Sequence, residues 1–386
     1  MTVARHRRQV ESAFTLVELM TAVAILSVLM IFIGLLLTAA SKATKLSRQR
    51  IDADSQARLI FDSMADDFTR MMRRPDVDFH FVKQAGNDSF FMFCENPGYF
   101  DSSLTPAVES TLSLVGYRIN TINNPPADFP NTLEKLAKGL TWDVQATAYP
   151  GVFLTLDQTG SFAPDAASTI VGRWPGPPAI DQPTYTDTNF HLLGDSTFRL
   201  EFCFLLTDGT YSLVPAINYP PAGTPAPPSG IAVSSNLAAT GAPTPGNGYS
   251  TTAPNYGVGS RWYDTTNFRG YICTYAPQVA GSNAAVWQPL GMADVQAVVV
   301  AVAILDQSSQ KIINSNTTIM TNMAAALKDP TAANLTSTPP QLMATMWLNT
   351  VSSSTFASSV GVPAVVGAQV RIYQRFFYLN NLYNNL

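Results

Sequence analysis

The pattern opens on a polar, basic stretch, residues 1–13, and then runs apolar from Phe14 to Ala40 with a single charge, Glu18. As a tilted helix, about 27 residues at ~1.5 Å each suffice to cross a ~30 Å hydrocarbon core. From Lys42 the pattern becomes amphipathic. Leu46, Ala53, Ala57, Ile60, Met64, Phe68 and Met71 recur at steps of three, four or seven, and Asp52, Asp54, Arg58, Asp62, Asp66 and Arg70 fill other positions. The spacing predicts one helix from Phe14 to Arg73, ended by Pro75. Its first half is apolar all round and its second half has one apolar stripe.

Beyond residue 78 the period shortens to that of strands. Residues 79–83, 89–94, 111–119, 152–156, 197–206, 210–215, 296–305 and 370–379 are short, aromatic or β-branched runs set off by Gly, Pro or Asn. Thr207-Asp208-Gly209 between two of them predicts a hairpin. Short helices are expected over 131–139, 317–328 and 340–348. Residues 219–259 are rich in Pro, Gly, Ser, Thr and Ala and carry no charge, which reads as a long exposed loop inserted in one domain. The expected architecture is α+β: a 1–13 leader, a 14–40 span, a 41–74 amphipathic continuation, and a 75–386 head built on a mainly antiparallel sheet.

Composition narrows the function more by exclusion than by indication. The chain has 386 residues, 46% of them hydrophobic and only 13% charged, with a net charge of −4. Removing residues 1–13 takes away three of 23 basic residues and one of 27 acidic ones, leaving 20 against 26, or −6. A mildly acidic body argues against nucleic acid as a partner. Of three histidines, His6 lies in the leader, and neither His80 nor His191 has a second ligand at metal spacing. No nucleophile elbow, phosphate loop or dinucleotide fingerprint is present, so neither enzyme activity nor cofactor is expected. Asp76, Asp78, Asp181 and Asp187 lack any calcium-loop spacing. Trp174, Trp262 and Trp287 read as core before they read as a sugar platform. For Cys94, Cys203 and Cys273 two arrangements stay open: a disulfide between two of them, or three buried free thiols.

The N-terminus carries the functional signal. A secretory signal peptide has a shorter apolar core and a small-residue cut after it, so it does not fit. An uncleaved anchor fits the length but gives no reason for Glu18, because a carboxylate in hydrocarbon is costly without a partner. The segment ESAFTLVELMTAVAILSVLM (11–30) resembles the cleavage and methylation segment of type IV prepilins. The resemblance implies a cut between Ala13 and Phe14 by a prepilin peptidase, methylation of the new Phe14 amine, and a role for Glu18 in pairing with a neighbouring subunit's amine during filament assembly. The family usually has Gly where this chain has Ala13.

The size of the head resembles minor rather than major pilins. Gly116-Tyr117-Arg118, Asp208-Gly209 and the apolar strand 296–305 are faintly similar to J-type minor pseudopilins of type II secretion. The layout, with VVVAVAILDQ (298–307) and VRIYQRFFYLN (370–380), looks more like the Verru_Chthon cassette protein C family of prepilin-type proteins. These resemblances imply a single-pass protein of the bacterial inner membrane, leader in the cytoplasm and head in the periplasm. Its partners would be the peptidase, other prepilin-like subunits and membrane lipid. The alternative is an uncleaved, membrane-anchored periplasmic binding or adhesion protein.

Overall fold

The computed structural model describes residues 15–73, 77, 79–83, 86–96, 99–100, 109–110, 112–120, 131–139, 189–218, 234–248, 256–266, 269–276, 284–313 and 316–379. The expected strand at 152–156 lies outside them. The chain divides into two units, one ending at Asp52 and one beginning at Ala53. Helix α1 runs from Leu16 to Thr69. In the first unit, every large apolar side chain between Leu16 and Leu37 is exposed. This helix is long and apolar enough to cross a membrane.

The second unit is a head around the end of α1. Ala53, Ala57, Ile60, Met64 and Phe68, spaced by three and four, are buried in the largest apolar cluster. Leu46, which the periodicity placed in the same stripe, is instead 42% exposed. The helix stops before Pro75 because strand pairing captures its backbone. Met71 forms an antiparallel bridge with Cys94, Met72 N–H donates to Phe93 O at 2.9 Å, and Glu95 N–H donates to Arg70 O at 2.9 Å.

The strands follow in the order β1 (His80–Val82), β2 (Ser89–Cys94), β3 (Tyr99–Phe100), β4 (Glu109–Ser110), β5 (Ser113–Asn120), β6 (Thr132–Gly139), β7 (Phe190–Gly194), β8 (Thr197–Leu206), β9 (Tyr211–Ser212), β10 (Asn236–Ala239), β11 (Arg261–Asp264), β12 (Arg269–Tyr275), β13 (Val286–Pro289), β14 (Val295–Ile304) and β15 (Arg371–Tyr378). Between β14 and β15 lie α2 (Gln307–Ile312), α3 (Thr317–Ala326), α4 (Ala332–Thr336), α5 (Met343–Val351), α6 (Phe356–Ser359) and α7 (Ala364–Gly367). One antiparallel sheet has the order β1-β2-β5-β6-β7, and another β15-β14-β8-β9. A third, β10-β11-β12-β13, holds the parallel pair β10–β11, and β3 pairs with β4.

Alternation explains why β14 is apolar throughout. Val298, Val300, Val302 and Ile304 join the cluster around α1, while Val299, Ala301 and Ala303 join the cluster under the C-terminal helices. A strand buried on both faces has no polar side to show. The end of α1 touches both large sheets: the Phe68 ring lies 5.6 Å from Phe90 and 5.2 Å from Phe377.

Two expectations are corrected. Residues 131–139, expected to form a short helix, contain β6. Its pairing with β5 and β7 outweighs local helix propensity, and its charges find cross-strand or helix partners: Arg118–Glu134 at 3.2 Å and Lys135–Asp67 at 2.6 Å. The uncharged segment 219–259 is not loop throughout, because β10 pairs Asn236 with Trp262 and Ala239 with Asp264. The predicted Asp208-Gly209 turn does join β8 to β9, with Gly209 at φ 83°.

Candidate functional site

Of the predicted site residues, Ala13 and Phe14 lie outside the described residues, and Glu18 sits in the first turn of α1. Its carboxylate accepts from the backbone N–H and from the hydroxyl of Thr15, both at 2.9 Å. Glu18 N–H donates back to Thr15 Oγ1 at 3.3 Å. This reciprocal pair is a capping box, with Thr15 at the N-cap and Glu18 three residues on. It satisfies two amide groups that a helix start leaves open, and it places a negative charge at the positive end of the helix dipole. The acid that sequence reading marked as needing a partner therefore has a local one.

In the head, the polar counterpart to the apolar seat of α1 is Asp67, which is fully buried. It accepts from Tyr117 Oη and from Asn96 Nδ2 at 3.0 Å, and it pairs with Lys135 Nζ at 2.6 Å. Burial and the neighbouring Asp67 charge push the Tyr117 phenol well above its usual range. Two further side chains tie α1 to β15: Tyr373 Oη donates to Asp54 at 2.6 Å, and Arg375 pairs with Asp62 at 2.8 Å. Sequence reading missed Asp67. The available signal was its position three residues past Met64 and seven past Ile60, within the stripe.

A second buried network joins β8 to the C-terminal helices. Arg199 pairs with Glu201 at 2.9 Å and with Asp329, donates to Leu327 O at 3.1 Å, and stands 5.4 Å over the Trp347 ring. Lys83 pairs with Asp88 at 3.0 Å and with Glu201. Each charge faces an opposite one, as buried charges must.

Cys94, Cys203 and Cys273 are free thiols buried in three separate clusters. Burial pushes Cys203 up to about 12 and Cys94 well above the ordinary thiol range, so both stay protonated and unreactive at neutral pH. Trp262 and Trp287 meet edge to face at 5.8 Å and cross Tyr256 at 5.3 and 6.1 Å, forming the core of the small sheet rather than a sugar platform. Trp174 and the acids Asp76, Asp78, Asp181 and Asp187 lie outside the described residues. Among the described residues no cluster of His, Cys, Asp or Glu could hold a metal ion.

Residues 8–34 match the family model described as the prokaryotic N-terminal methylation motif. No curated protein and no solved structure matches the chain. The match takes in the leader from Arg8 onward, Ala13 and Phe14, and α1 as far as Gly34. It supports a type IV prepilin-like protein processed at its N-terminus by a prepilin peptidase, which points to a structural subunit that assembles with other pilin-like chains rather than to an enzyme. Together with the long apolar helix, it is consistent with a membrane-anchored protein.

Proposed function

We propose that the chain is a minor prepilin-like subunit, a pseudopilin, of a filament of the type IV pilus or type II secretion kind. The peptidase cuts between Ala13 and Phe14 and methylates the Phe14 amine. The span keeps the subunit in the inner membrane, with the leader in the cytoplasm and the head in the periplasm, until Glu18 guides it onto the growing filament. The size of the head favours a minor subunit at the tip, where no copy needs to stack above it. The cassette protein C resemblance agrees with that layout.

The observation that carries this reading is that the methylation-motif match runs straight into a capped apolar helix, while the end of the same helix belongs to the core of a large head. Co-expression with a prepilin peptidase, followed by mass spectrometry of the intact chain and of its N-terminal peptide, tests it. The expected product begins at methylated Phe14. A chain that still begins at Met1 in the presence of active peptidase refutes the proposal.

A further inference from the structure

The apolar part of α1 is followed by a second set of charges that the prepilin reading does not use. Lys42, Lys45, Arg48 and Arg50 are all exposed, and none has a hydrogen-bond or ion-pair partner among the described residues. Asp52 and Asp54 stand four positions after Arg48 and Arg50, yet no bridge forms between them, and Asp54 accepts from Tyr373 instead. At ~100° per residue the four cations spread over about 200° of the helix circumference, and they occupy only ~12 Å of its length. A partner helix would meet one side of such an arrangement. A layer that surrounds the helix meets all of it.

In the proposed orientation these four cations lie on the translocated side, against three in the leader, Arg5, Arg7 and Arg8. Basic residues close to a span favour the cytoplasmic side, so a belt of this size beyond the membrane opposes the usual bias and needs a compensating interaction. Lys and Arg just beyond the end of a membrane span extend their heads to the interface, where lipid phosphates lie. The cations begin two residues past Ala40, so the belt falls at the headgroup level and within about a Debye length of it.

We infer that Lys42, Lys45, Arg48 and Arg50 form a binding belt for anionic phospholipid headgroups of the leaflet on the head side. The belt holds the subunit at a fixed depth, and it adds an electrostatic hold that leaving the bilayer must break. This inference rests on the membrane-anchored reading and is independent of cleavage and of filament formation.

The test uses the full chain, reconstituted in vesicles of phosphatidylcholine alone or with phosphatidylglycerol, followed by detergent extraction and native mass spectrometry of retained lipid. Each basic residue near an anionic surface contributes about a fivefold preference, so the belt as a whole should favour phosphatidylglycerol by at least ~10-fold. The K42Q/K45Q/R48Q/R50Q variant should lose more of that preference than the R5Q/R7Q/R8Q variant does, while still inserting into phosphatidylcholine vesicles. Equal preference in the belt variant, or a loss in the leader variant as large as the belt variant's, overturns the inference. Failure to insert into either vesicle overturns the anchored reading instead, so the two failures are told apart.

Discussion

Replacing Asp67 with Ala tests whether the end of α1 is held in the head by charge as well as by apolar packing. The substitution removes the acceptor for Tyr117 Oη and Asn96 Nδ2 and leaves Lys135 without its carboxylate at 2.6 Å. Breaking a buried pair from one side costs about 3–5 kcal/mol. The lower end applies here, because the Lys135 side chain is 12% exposed and its ammonium keeps Ser63 Oγ at 3.0 Å. A loss of ~3 kcal/mol, set against an unfolding entropy of ~2.1 cal/mol/K per residue, corresponds to a fall in Tm of roughly 4 °C for a chain of this size.

Thermal melting of the full chain in mild detergent measures the total loss, and amide exchange over Ile60–Met71 locates it. The Asp67→Ala/Lys135→Met pair removes both charges, and its loss should fall short of the sum of the two single losses by at least ~1.5 kcal/mol. Additive losses, or faster exchange everywhere except Ile60–Met71, would show that Asp67 does not seat the helix.

Three further outcomes follow from the head. Cys203 is raised from 9.0 to about 12 in the folded state, so its contribution is fully present below pH ~9 and is lost as pH rises towards 12. Urea midpoints should fall over that window and fall less steeply in Cys203→Ala, by up to ~4 kcal/mol in total; parallel slopes would refute this. In Gly116→Ala the new Cβ would stand 1.8 Å from Cδ1 of the buried Phe91 ring, so a loss of ~1–3 kcal/mol is expected, partly restored by a second change, Phe91→Leu; additive losses would be the contrary result. Trp347→Ala should cost ~3–5 kcal/mol by cavity formation and by exposing Arg199, and a fall in Tm below ~3 °C would contradict that packing.

Elements whose side chains have one physical job were legible in the sequence. The both-faces-buried strands β8 and β14, the aromatic β2 and the apolar stripe from Ala53 to Phe68 state their surroundings in their own pattern. Residues whose role depends on a distant partner were not legible. β6 is rich in helix formers and becomes a strand through its pairing with β5 and β7, where Glu134 meets Arg118 and Lys135 meets Asp67. Asp67 is marked only by its position, three residues past Met64 within the apolar stripe. β7 and the strands of the small sheet were not foreseen, because pairing of segments far apart in sequence leaves little local trace. At the N-terminus, the motif was plain while the capping partner of Glu18 was not.

That cap changes what Glu18 can be used to argue. Sequence reading treated the acid as a charge in need of a neighbouring subunit, yet Thr15 already supplies two donors within one turn. A capping interaction contributes only ~0.5–2 kcal/mol, so it softens the cost of the carboxylate in lipid without matching what a cationic amine would provide. The local and intermolecular roles separate in Glu18→Gln, because Gln can still close a capping box but carries no charge. Glu18→Gln should leave the amide protection of the first turn unchanged and lower incorporation into filaments as far as Glu18→Ala does. Thr15→Val should do the reverse, loosening the first turn by ~1 kcal/mol while sparing incorporation. If Glu18→Gln assembles like the unaltered chain, the acid is a cap and nothing more, and the case for filament assembly falls back on the methylation motif alone.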